Sequence, residues 1–112
     1  MEELPFEIHP RDVKARLESG EPLRLIDVRE PEEFVRARID GSRLIPMRTV
    51  PARLPELEDL AGDATLVVLC HHGVRSAQVV GWLRRQGIEA AQSLQGGIER
   101  WSLEVDPAVP RY

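Results

Sequence analysis

The chain has 112 residues, 42% hydrophobic and 30% charged, with 19 acidic against 15 basic side chains and a formal net charge of -4. That length suits one domain, residues 1–112, and the apolar content is too high for a disordered segment. The acidic balance argues against a nucleic-acid partner, and no apolar run approaches the ~20 residues of a membrane-spanning helix. The start carries no positive and apolar leader pattern, so a cytoplasmic location and no membrane association are expected.

Taken in chain order, Phe6–Ile8 reads as a short strand, and His9-Pro10 leads into a helix with Val13 and Leu17 on one face that Gly20 can end. Leu23–Val28 is a nearly continuous apolar run interrupted by Arg24, as expected of a strand covered on both faces, with Asp27 near its carboxyl end. Pro31-Glu32-Glu33 opens a second helix, with proline at its first position, carboxylates at the positive end of the helix dipole, and Phe34 and Val35 available to pack inward. Asp40-Gly41-Ser42 is turn chemistry, Leu44-Ile45 a short strand stopped by Pro46, and Leu54, Leu57 and Leu60 fall at helical spacing.

The second half starts from the Gly62-Asp63 turn signal. Thr65–Cys70 reads as a central, parallel strand with Cys70 at its end. A polar loop precedes a helix over about Ser76–Gln86, which buries Ala77, Val80, Trp82 and Leu83 and has Gly87 just past its end. Ala90–Leu94 is a further strand, and Gly96-Gly97 turns into a last helix carrying Ile98 and Trp101. Strands alternating with helices predict an α/β fold, a mostly parallel central sheet flanked by helices, with ligands gathering beyond the carboxyl ends of the strands.

Cys70, the one cysteine, has no partner for an internal disulfide and falls between a strand end and a helix start. Backbone N–H groups of the loop His71-His72-Gly73-Val74-Arg75-Ser76 can converge there on an anion, and the helix dipole and Arg75 favour a thiolate facing a solvent-filled bowl. Gly73 permits backbone angles closed to other residues, while Ser76 can either cap the helix or hydrogen-bond the sulfur. Arg75 has two readings as well, direct contact with an anion or pairing with a carboxylate such as Asp27. Asp27 and Arg29 read as a structural pair that fixes the loops. Cys70 with His71 and His72 makes a poor metal site, because adjacent side chains seldom converge on one ion and His9 is the one further histidine.

Three separated segments carry a resemblance. Cys-His-His-Gly-Val-Arg-Ser at 70–76 and the helix after it, Leu25-Ile26-Asp27-Val28-Arg29-Glu30-Pro31-Glu32-Glu33-Phe34, and Leu94-Gln95-Gly96-Gly97-Ile98-Glu99-Arg100-Trp101 resemble, in order, motifs of single-domain rhodanese-family sulfurtransferases. The resemblance implies a rhodanese-like domain in which Cys70 takes sulfane sulfur from a small anionic donor such as thiosulfate. It implies that Cys70 then holds the sulfur as a persulfide and passes it to a thiol or sulfur-carrier protein, with no cofactor. In that reading the amides from His71 to Ser76 cradle the persulfide, Arg75 stabilises anionic charge, and Gly96 and Gly97 either make a tight turn or also form a second wall of the pocket. Related phosphatases place five residues between cysteine and arginine, whereas Cys70 and Arg75 enclose four, a smaller loop that should fit phosphate poorly and makes a Cys-based phosphatase or arsenate reductase the less favoured alternative. A second hypothesis keeps the fold and makes the domain a persulfide carrier or docking module of a larger system. The family's usual Gly-His-Ile-x-Gly-Ala stretch is Ala37-Arg38-Ile39-Asp40-Gly41-Ser42 here, which alters the charge expected near the pocket.

Overall fold

The computed structural model describes residues 4–112. Five parallel strands, β1 (Glu7–Ile8), β2 (Leu23–Asp27), β3 (Arg43–Leu44), β4 (Thr65–Leu69) and β5 (Ala91–Leu94), form one sheet in the order β1-β5-β4-β2-β3. The helices are α1 (Pro10–Glu18), α2 (Pro31–Arg36), α3 (Leu54–Leu60), α4 (Val74–Arg85) and α5 (Gly97–Glu104), with two 3-10 turns, Met47–Thr49 and Pro51–Arg53, before α3. Among the described residues no helix is long and apolar enough to cross a membrane.

The central strands explain the two-sided core. In β4 the side chains of Leu66 and Val68 pack with Leu57 of α3 and with Val79, Val80 and Leu83 of α4, whereas Val67 and Leu69 join Val13 of α1 and Ile98 and Trp101 of α5. Alternate side chains of a strand point to opposite faces, so an unbroken apolar run is what a sheet covered on both faces requires. Each such side chain contributes about 1.5–3 kcal/mol on burial. From β2 the chain moves outward to β3, and from β4 it moves the other way to β5. The loops after β2 and β4 therefore meet at the point where the winding direction reverses.

Several local expectations change. Val13 is fully buried, but Leu17 is exposed at the solvent edge of α1. No residue of α2 is buried, and Val35, expected to pack inward, is 83% exposed. The helix stays outside the core, and the chain regains it at Ala37 and Ile39. β3 ends at Leu44 and β4 at Leu69, one residue before Ile45 and Cys70. On α4, Ala77 and Trp82 are only partly buried, and Val79 takes up core contact in their place.

Candidate functional site

The peptide after β4 wraps tightly around Cys70. Gly73, at φ 108°, adopts a left-handed conformation and caps α4, so the helix begins at Val74 instead of Ser76. Ser76 is therefore not the capping residue; it sits in the first turn of α4, where its N–H reaches back to the sulfur. Cys70 Sγ accepts hydrogen bonds from Gly73 N at 3.1 Å and Ser76 N at 3.3 Å. The thiol can donate to Ser76 Oγ at 3.5 Å, and that hydroxyl also meets the Gly73 carbonyl at 3.2 Å and Ser93 Oγ at 2.7 Å. Two converging N–H groups at the start of a helix make a cradle for negative charge on sulfur or on an atom bound to it. The expected open bowl is not present: Cys70 is 1% exposed and its side chain also packs with the core face of Val79 and Ile26. The loop's own amides close over the sulfur from one side, and core residues cover it from the other.

Gly96 and Gly97, at φ 76° and 64°, form the rear of this loop. A Cβ on Gly97 would come within 2.6 Å of the Cys70 carbonyl oxygen, and one on Gly96 within 2.7 Å of the Arg100 side chain. Bare backbone lets the start of α5 press against the loop, where Ile98 N donates to the Cys70 carbonyl at 2.9 Å and Glu99 N to that of His71 at 3.1 Å. The two glycines thus support the loop main chain from behind.

The loop after β2 supplies the other side. Asp27 and Arg29 are both 0% exposed and joined by a bidentate pair, Arg29 Nη2 to Oδ2 at 2.7 Å and Nε to Oδ1 at 2.9 Å, with Arg29 N also donating to Oδ1. Arg29 Nη2 donates in addition to the Ala37 carbonyl at 2.6 Å, stitching β2 to the chain beyond α2. With Asp27 so occupied, Arg75 has a different partner from the one expected. It pairs with Glu33, Nη1 to Oε1 at 2.7 Å and Nη2 to Oε2 at 3.0 Å. Glu33 also accepts from Glu30 N at 3.0 Å and from the Tyr112 hydroxyl at 2.7 Å. The hydrogen bonds from Arg75, against the opposing effect of burial, hold the Glu33 carboxyl down to about 2. The same bonds raise Arg75. Burial, reinforced by donation to Glu33 and opposed by Arg29, pushes the Tyr112 phenol up to about 12.

The two loop histidines occupy different surroundings. His71 is stacked between Tyr112, centroids 3.9 Å apart, and His72, 4.0 Å apart. Burial, and then the proximity of His72, lower the His71 pKa. His72 and Val74 are exposed on the outer side of the loop. His9 caps α1, its Nδ1 accepting from Arg11 N at 3.1 Å, and lies 3.7 Å from Glu104, away from this loop. Three residues of the network escaped the sequence reading. Glu33 reads from the sequence as a helix-dipole carboxylate within the Leu25–Phe34 motif, although a Glu three residues after Glu30 also carries a capping pattern. Ser93 sits in a buried strand and Tyr112 at the far end of the chain, and neither position has a local signal.

Comparison with known proteins adds to this geometry. A profile of the rhodanese-like domain matches residues 9–104. The chain is 37% identical over 94 residues to the thiosulfate sulfurtransferase GlpE of Pseudomonas aeruginosa, covering 84% of this chain and 81% of that protein. It is 39% identical over 105 residues to the probable adenylyltransferase/sulfurtransferase MoeZ of Mycobacterium tuberculosis, covering 94% of this chain but only 26% of the length of MoeZ. Among solved structures, a rhodanese-related protein from Thermoplasma volcanium superposes with a TM-score of 0.80 at 30% identity, over 96% of this chain and all of that one.

Proposed function

The chain belongs to the rhodanese family of sulfurtransferases, and on that premise we propose that it moves sulfane sulfur through a persulfide on Cys70. In the first half-reaction the Cys70 thiolate attacks the outer sulfur of a donor such as thiosulfate. A Cys–S–S bond forms, the donor's sulfur–sulfur bond breaks, and sulfite leaves with the electron pair. In the second, a thiolate or other thiophilic acceptor attacks the outer sulfur and Cys70 departs as a thiolate, so neither half requires a cofactor. The observation that carries this reading is the pair of N–H groups, Gly73 and Ser76, aimed at Cys70 Sγ. They hold negative charge on the sulfur before attack and after sulfur release. Arg75 brings positive charge to the loop, moderated by its pairing with Glu33, His71 and Val74 flank the cradle, and Gly96, Gly97 and the Asp27–Arg29 pair keep the two loops in register.

Thiosulfate as the donor is supported by the similarity to GlpE, a thiosulfate sulfurtransferase. The occurrence of a similar segment within MoeZ, which is named for adenylyl and sulfur transfer together, supports a carrier protein as acceptor. Because Cys70 is 1% exposed, the donor's outer sulfur must enter as the loop breathes, which suits a small donor. Incubation with thiosulfate should add about 32 Da, one sulfur, to the intact mass, with the adduct discharged by cyanide and absent in Cys70→Ser. Efficient hydrolysis of an aryl phosphate with no sulfur uptake would overturn the assignment.

A further inference from the structure

Tyr112 lies beyond residues 9–104, the span of the family match, yet its side chain enters the network beside Cys70. Its hydroxyl accepts from Arg29 Nη1 at 2.8 Å and donates to Glu33 Oε2 at 2.7 Å, while its ring stacks on His71. The segment that carries it is tied down twice more: Ser102 Oγ donates to the Val109 carbonyl at 2.6 Å, and Arg111 pairs with Glu99 at 2.6 Å. The phenol is therefore a fixed spacer between a guanidinium and a carboxylate that attract each other.

The spacer matters because of what each group does on its other side. Apart from the phenol, Arg29 Nη1 has one acceptor among the described residues, the Glu33 carbonyl at 3.4 Å, which is a long bond. A buried N–H deprived of the phenol turns to the nearest strong acceptor, and the Glu33 carboxylate is already poised one hydroxyl away. A Glu33 drawn to Arg29 leaves Arg75, whose charge it now matches through two short bonds.

We propose that Tyr112 is a positioning residue for partner selection: its hydroxyl keeps Glu33 on Arg75, and so sets how strongly Cys70 discriminates between anionic and uncharged reaction partners. The inference deepens the Cys70-centred function proposed above and rests on it. Its test uses alkylation of the thiol, with no sulfur donor, so a failed sulfur assay and a failed charge prediction are separate results.

The experiment measures Cys70 alkylation by anionic iodoacetate and by uncharged iodoacetamide at one pH, in the full chain. The ratio of the two rates cancels the fraction of reactive thiol and reports the charge around it. With Arg75 released, the ratio should rise over wild type by about threefold in Tyr112→Phe, which retains the stacked ring, and by about tenfold in Glu33→Gln. Both should exceed the ratio of the urea-unfolded chain, in which no organised Arg75 remains. Adding Arg75→Gln to Tyr112→Phe should abolish the rise. A Tyr112→Phe ratio equal to or below wild type, no rise in Glu33→Gln, a rise that survives loss of Arg75, or the unfolded chain's ratio in every variant overturns the proposal.

Discussion

Glu33 offers a stability measurement that tests the electrostatic account independently of any reaction. Its carboxyl is held down to about 2, chiefly by hydrogen bonds from Arg75, with burial opposing and the Glu30 N–H and Tyr112 hydroxyl helping. A depressed carboxyl contributes stability that is present above its unfolded value of 4.5 and is lost as pH falls through about 2. The full interval between those values corresponds to about 3 kcal/mol at 1.36 kcal/mol per pH unit, and solvent screening of a partly exposed pair reduces it to about 2 kcal/mol. Urea unfolding of wild type and Glu33→Gln should therefore differ by about 2 kcal/mol at pH 7. The gap should narrow steadily below pH 4.5 and nearly close by pH 2, with unchanged slope against urea. A gap that stays constant from pH 7 to pH 3 would refute the argument, because it would show that Glu33 acts through packing and not through its charge.

Further expectations concern the frame around the loop. Gly97→Ala should destabilise by about 3 kcal/mol or more, since the position is left-handed and the new Cβ meets the carbonyl of Cys70; thermal unfolding checks it, and a loss under 1 kcal/mol contradicts it. Arg29→Ala leaves Asp27 buried without its partner and should cost about 3–5 kcal/mol, whereas Asp27→Asn with Arg29→Met should recover part of that loss, as measured by urea unfolding. Val35→Asp should change stability by less than about 0.5 kcal/mol, because the side chain is 83% exposed; a loss above 2 kcal/mol would mean that α2 packs as its apolar residues suggested.

The alternation of strand and helix, the central place of the Thr65–Cys70 run, of which the strand takes Thr65–Leu69, and the position of Cys70 at a strand-to-helix junction were legible in the amino-acid order, because they depend on local periodicity and on glycine and proline punctuation. The Asp27–Arg29 pair was legible for a similar reason: two opposite charges two residues apart at the end of a covered strand have few other ways to be buried. Helix α2 departs from the reading, because Phe34 and Val35 advertise a core face that the folded helix does not bury. The start of α4 moved two residues because Gly73 accepts a left-handed turn that the Ser76 capping signal cannot reveal.

Partner choice in the charged network lay beyond sequence. Arg75 selects Glu33, 42 positions away, because Arg29 has already taken Asp27, and Tyr112 joins them from 79 positions beyond Glu33. Periodicity and turn chemistry act over a few residues and so are written along the chain. Which charges meet, and whether the thiol is open or covered, depends on how separate loops converge at the end of the folded sheet, and that convergence exists only in three dimensions.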